Sequence, residues 1–160
     1  KSPTGDKVKT LPLDKTIMDM NERNRINKDL SNLLIEFAWK SPDYNEDIKK
    51  LLELGVDVNI PDHDGDTALL MISQNGNIEI VRLLLEAGAD PNIHKTPPIQ
   101  TPLMAASAQG HIEIVRMLLD AGAKVETLDE DGWSAILYAR MQDNMDIVEM
   151  LRREAPRLYH

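Results

Sequence analysis

The chain has no cysteine among its 160 residues. That excludes a disulfide framework and a thiolate zinc site, and it leaves the redox compartment unread. Aromatic residues are scarce, with one Phe, two Trp and three Tyr. A core of large rings is therefore excluded, and Leu, Ile, Val and Ala must supply the packing. The sequence has no run of about 18 apolar residues, so it offers no membrane-spanning helix. Positive charge is in deficit, 18 Lys and Arg against 27 Asp and Glu, for a formal net charge of −9. This balance argues against nucleic acid or an anionic membrane as partner. A solvated surface accounts for the acid; if it selects a partner, that partner is basic.

Catalytic constellations are missing too. His63, His94, His111 and His160 are scattered, and there is no His-Glu-x-x-His, no Gly-x-Ser-x-Gly and no phosphate-cradling glycine loop. Asp62-His63-Asp64-Gly65-Asp66 has the composition of a calcium loop, but Gly65 precedes the third Asp. Ser73 stands at the twelfth position, where such a loop needs a bidentate Glu. The stretch reads as a turn. No catalytic residue, cofactor or metal is expected.

What the sequence does contain is a repeat. Ile78-Glu79-Ile80-Val81-Arg82 returns as Ile112-Glu113-Ile114-Val115-Arg116, and Leu84-Leu85-Glu86-Ala87-Gly88-Ala89 returns as Leu118-Leu119-Asp120-Ala121-Gly122-Ala123. Asp62-x-x-Gly65-x-Thr67 returns as Asp129-x-x-Gly132-x-Ser134. A fixed period of 33 or 34 residues marks a stacked array. Within one unit, Asp62 to Asp66 is a turn and Thr67 caps a short helix, Ala68 to Asn75, which Gly76 ends. Ile78, Val81, Leu84 and Leu85 follow helical spacing in a second helix that Gly88 closes. Such a unit has no two-sided core and must stack on its neighbours.

The unit resembles the ankyrin repeat, a β-turn followed by two antiparallel helices with a Thr-Pro-Leu-His-x-Ala signature. Thr101-Pro102-Leu103-Met104-Ala105-Ala106 matches it with Met in place of His, and Thr67-Ala68-Leu69 and Ser134-Ala135-Ile136 are weaker copies. The resemblance implies an all-α solenoid of four helix-turn-helix repeats with projecting β-turn fingers. The repeats run at about 27–60, 61–93, 94–127 and 128–153, with a C-terminal cap at 154–160. Residues 1–26 are expected to be a flexible leader, or a capping helix started by Asp14. The first repeat is degenerate, and Ser41-Pro42-Asp43-Tyr44-Asn45 lengthens its inter-helix turn by about two residues. Thr96-Pro97-Pro98-Ile99-Gln100 replaces the Asp-x-x-Gly turn in the third repeat and carries one extra residue. Two prolines rule out the ordinary turn there. Arg152 falls where Leu85 and Leu119 stand in earlier repeats, so the array is expected to end inside this chain. His111 follows Gly110, a position where the resemblance implies a structural link.

The resemblance further implies a non-enzymatic module that binds another protein in a concave groove between fingers and first helices. Repeat register nominates the contact residues: His63, Asp64, Asp66, Gln100, Glu130, Asp131 and Trp133 on fingers, with Trp39, Met71, Gln74, Asn75, Gln109, Tyr138, Met141 and Gln142 on first helices. Trp133 stands where other fingers carry Asp66 and Gln100, so it is the leading anchor; the alternative is that it folds onto Tyr138. Trp39 is either a groove residue or a cover for the first end of the array. A monomer is expected. Two other roles stay open, a regulatory or targeting segment of a larger enzyme or effector and an exported or lipid-tethered bacterial ankyrin protein. Location is accordingly open between the cytoplasm and an exported or surface-tethered state. The initial Lys1 is compatible with a signal peptide or further domain before it.

Overall fold

The computed structural model describes residues 19–154. Among these residues there are eight helices: α1 Met20–Trp39, α2 Asn45–Glu53, α3 Ala68–Asn75, α4 Ile78–Glu86, α5 Pro102–Gln109, α6 Ile112–Asp120, α7 Ala135–Met141 and α8 Met145–Glu154. The only ladder-like pairing among them is one antiparallel bridge, Lys95 with Gln100. The odd-numbered helices pack in one row, α1 on α3 on α5 on α7, and the even-numbered ones in a second row. This is the expected all-α solenoid of four helix pairs.

The two rows have different sequences because they have different surroundings. α3 and α5 are covered on both sides, and each buries six consecutive residues, Ala68 to Ser73 and Pro102 to Ser107. A helix apolar all round belongs inside. The second-row helices are amphipathic. α4 buries Ile80, Val81 and Leu84 while Glu79, Arg82 and Glu86 face solvent. α6 and α8 repeat the pattern with Ile114, Val115, Leu118 and with Ile147, Val148, Leu151.

Helix starts are set by the expected caps. Thr67 Oγ1 accepts from the Leu70 amide at 3.2 Å, Thr101 Oγ1 from Met104 at 3.0 Å, and Ser134 Oγ from Leu137 at 3.4 Å. These three hydroxyls are themselves buried.

Polar ties lock one repeat to the next along two edges. At the outer loop, Asn59 donates to the Gly88 carbonyl at 3.0 Å and accepts from the Asp90 amide at 2.8 Å. Asn92 makes the same pair to Gly122 and Lys124. At the inter-helix turn, Asn77, His111 and Asn144 occupy one register position. Asn77 donates to Ser41 Oγ at 2.6 Å, the His111 ring meets the Gln74 carbonyl at 3.1 Å, and Asn144 donates to the Ser107 carbonyl at 3.4 Å. The structural link expected of His111 is thus present. Its ring lies so close to Gly76 that a β-carbon there would sit 2.6 Å from His111 Cε1.

The first repeat departs from the others in two ways. Its connection, residues 40–44, is longer than the two residues of 76–77, as expected for this turn. α1 also starts far upstream of the expected repeat boundary, with Asp19 accepting from the Glu22 amide at 2.8 Å as its cap. Residues 20–26, placed in the leader, therefore follow the helical alternative. The Asp14 start and the rest of the leader lie outside the described residues, as does the C-terminal cap beyond Glu154. The early turns of α1 have a capping role. Asn27 accepts from the Asp57 amide at 3.2 Å and Ser31 donates to the Asp57 carbonyl at 2.8 Å. Asp57 stands in register with Asp90 and Lys124, so Asn27 supplies the bond that a preceding repeat's Asn would make.

Gly76→Ala is expected to destabilise the array by about 2–3 kcal/mol, from left-handed backbone strain at φ 97° and a displaced His111. Gly88→Ala should lose only the strain term, about 1–2 kcal/mol, because nothing lies near its added methyl. Urea unfolding of the two variants measures the difference; equal losses would remove His111 from this account.

Candidate partner-binding groove

The fingers rise beside the first helices, and their turns are built from side-chain to backbone bonds. In the second finger, Asp62 Oδ1 accepts from the amides of Asp64 at 2.9 Å and Asp66 at 3.0 Å. In the fourth, Asp129 Oδ1 does the same for Asp131 and Trp133, both at 2.9 Å. These are Asx turns, closed by Gly65 and Gly132 at positive φ. Asp62, His63 and Asp64 are the one group of three candidate metal ligands close together among the described residues. Asp62 Oδ1 is committed to two amides, and the group is what the turn requires.

The third finger has no Asp at its base. Lys95 stands in register with Asp62 and Asp129, and a hairpin replaces the Asx turn. Lys95 and Gln100 exchange two backbone hydrogen bonds of 3.0 Å, enclosing Thr96 to Ile99. The non-standard geometry expected of the proline pair is therefore a four-residue hairpin loop. The Ile99 amide donates to the Glu130 carboxylate at 2.9 Å, which straps the third finger to the fourth. Lys95 Nζ reaches back to Asp66 Oδ1 of the second finger at 3.2 Å.

Two hollows result. The larger, of about 780 Å³, lies between α1, the second and third fingers and α3. Trp39, His63, Asp66, Met71, Gln74 and Gln100 line it, all nominated from sequence, together with Asp29, Asn32, Leu33, Glu36 and Lys95. Trp39 is 62 % exposed, whereas Met71 is 9 % exposed and forms the floor. The smaller hollow, of about 270 Å³, lies between the third and fourth fingers and is lined by Ile99, Gln100, Met104, Glu130, Asp131 and Tyr138, among others.

The expected leading anchor is placed differently. Trp133 is half-buried and packs on Tyr138, with ring centroids 5.3 Å apart and planes at 56°. It lines neither hollow. Tyr138 donates its hydroxyl to Asp129 Oδ2, so both rings brace their own finger, the alternative outcome weighed above. Asn75, Gln109, Met141 and Gln142 are exposed and also lie outside both hollows, and Asn75 donates to the Ser41 carbonyl at 2.9 Å. Asp64 is exposed at the tip, within 3.3 Å of the His63 ring. The sequence did contain one overlooked signal: a lysine at position 95 where the other fingers carry their turn aspartate.

Stacked helix pairs with turns projecting beside the first row define a repeat solenoid. The family model described as ankyrin repeats (3 copies) matches residues 13–95, 34–129 and 87–157. The chain belongs to the ankyrin repeat family, whose members are generally protein–protein interaction modules. It is similar to the human ankyrin repeat and SOCS box protein 6, 41% identical over 78 residues, which is 45% of this chain and 18% of that protein. A Rickettsia bellii (strain RML369-C) protein named for ankyrin repeats is 33% identical over 110 residues, 65% of this chain and 31% of its own length. The human mitochondrial disaggregase is 44% identical over 48 residues, 30% of this chain and 7% of that protein. The chain thus spans under a third of each of these relatives.

The Tyr138–Asp129 bond carries a pH signature. The Tyr138 hydroxyl, then the Trp133 amide, hold the Asp129 carboxyl below its ordinary 3.8, so its contribution is present above that value and lost as pH falls through the lowered one. Asp129 in turn raises Tyr138 from 10.0 to about 12, a contribution present below 10 and lost as pH climbs toward 12. Tyr138→Phe is therefore expected to lose about 1 kcal/mol at neutral pH. The gap to wild type should be widest between about pH 5 and 9 and narrow on both sides. Thermal melts across pH measure it, and a gap that stays constant would show that packing alone is lost.

Proposed function

We propose that this array is a non-enzymatic module that binds a segment of a partner protein, as a monomer, in the first half of its concave groove. The observation that carries the reading is the open hollow of about 780 Å³ with a largely exposed Trp39 on its wall. An exposed Trp is a common interface anchor, and here no packing of the monomer requires it outward. Stacked helices on both sides hold the hollow in place, so little freedom is lost on binding. The second half of the groove is occupied by the chain's own contacts, Ile99 to Glu130 and Trp133 to Tyr138, and offers less. A further reading, that the array is the targeting part of a longer protein, is supported by the greater length of the matched relatives and is compatible with the first.

A partner captured by cross-linking and then titrated against purified variants tests this. Trp39→Ala is expected to weaken binding by about 2 kcal/mol or more, and a Trp133→Ala, Met141→Ala double variant by less than about 1 kcal/mol. The reverse order would move the contact to the fourth repeat.

A further inference from the structure

The first-half hollow has an unusual internal cation. Its walls carry four carboxylates, Asp29, Glu36, Asp62 and Asp66, against one lysine, Lys95. Lys95 and Asp66 are the better-shielded pair, with side chains 25% and 14% exposed. Glu36 faces Lys40 at 3.2 Å, but both side chains there are half exposed and the pair is weak. Asp66 Oδ1 is buried and accepts no aligned hydrogen bond among the described residues; Lys95 stands at ion-pair distance only. Lys95 covers this oxygen, so a cation can reach it only by displacing that amine. Trp39 adds an exposed aromatic face, and such faces attract cations as well as apolar groups.

We propose, resting on the groove reading above, that the hollow receives a Lys or Arg side chain of the partner, flanked by an apolar residue. In this arrangement Lys95 holds the cation position in the free protein and is displaced from Asp66 on binding. The apolar neighbour covers Met71 and Trp39 while the incoming cation takes up Asp66 and Glu36. Charge complementarity selects this occupant over a neutral or acidic one, because the walls hold three carboxylates in excess of Lys95. Lys95 then sets specificity: a partner must out-compete a tethered amine, which disfavours segments without a cation.

Short synthetic peptides with matched flanks and a central Arg-Leu-Arg, Gln-Leu-Gln or Glu-Leu-Glu triplet provide the probe, read by fluorescence polarisation. The Arg set should bind best, the Glu set worst, and Arg-set binding should fall with added salt. A Glu36→Gln, Asp66→Asn double variant should weaken the Arg set about tenfold. Lys95→Met should tighten it about threefold with an unchanged circular dichroism spectrum. Were Lys95→Met unfolded, Asp66→Asn alone, which leaves every finger backbone bond in place, must still weaken the Arg set. Binding of the Gln set equal to that of the Arg set, but lost in Trp39→Ala, would keep the groove and overturn the cation. Arg-set binding untouched by Trp39→Ala would overturn the groove reading itself. Weaker binding by folded Lys95→Met would make Lys95 a tether and overturn displacement. No binding by any set would overturn the proposal.

Discussion

No helix pair in this chain can enclose a core, and the rest of the structure follows from that constraint. α4 has one apolar face and α3 has two, so a pair always leaves one side uncovered. Stacking satisfies it and is itself non-directional, since apolar contact fixes neither register nor spacing. Direction comes from amides. Asn59 and Asn92 each bond both a donor and an acceptor of the following repeat, and Asn77, His111 and Asn144 do related work at the opposite edge. Each such bond contributes about 1 kcal/mol, small beside the burial but specific in geometry. The end of the stack obeys the same logic. α1 is the longest first-row helix among the described residues, and Asn27 and Ser31 on it bond Asp57 as Asn59 and Asn92 bond the loops that follow them.

The fingers inherit that register, which is why the groove is not uniform. Two fingers are Asx turns, the outer carboxylate oxygen of Asp129 being bonded by Tyr138, and the one between them is closed by two backbone bonds. Replacing an aspartate by Lys95 removes the side-chain acceptor of an Asx turn, and the Lys95 carbonyl takes the Gln100 amide in its place, while the bond from the finger's first amide to its last carbonyl is kept in all three fingers. The freed side chain then reaches Asp66, while the hairpin loop moves within reach of Glu130. Lys95 thus couples the second and third fingers, and the Ile99–Glu130 bond couples the third and fourth. These contacts leave the larger hollow beside α1 and the smaller one beside α7.

Much of this architecture was legible in the sequence. Local chemistry determined α3 to the residue: Thr67 caps it, Gly76 ends it, and both signals are contained in the short stretch they bound. The inter-repeat role of His111 was implied by the ankyrin resemblance at the position after Gly110. What was not readable depends on contacts across repeats. The early turns of α1 have a thin apolar pattern, since their task is to bond Asp57 rather than to bury a face. Trp133 stood between a fingertip anchor and a fold onto Tyr138, and register alone does not decide between the two. Lys95 was visible as a break in the repeat, but its partner Asp66 lies on the preceding finger.

Trp39 and Trp133 show how exposure follows from support. Each is in register with polar residues of other repeats, so neither is required by the core. Trp133 has Tyr138 beneath it, and Tyr138 is fixed by Asp129, so the indole gains more by lying down than by facing water. Trp39 has no such shelf. Phe37 on the same helix is stacked on Tyr44 at 4.9 Å, and the next residues leave for the long connection, so the nearest aromatic surface is already taken. Among the described residues no ring packs on the Trp39 indole, which therefore keeps most of its hydration cost. On the proposed reading, the acid walls of the same hollow supply what apolar contact lacks, a preference among the molecules that could cover it.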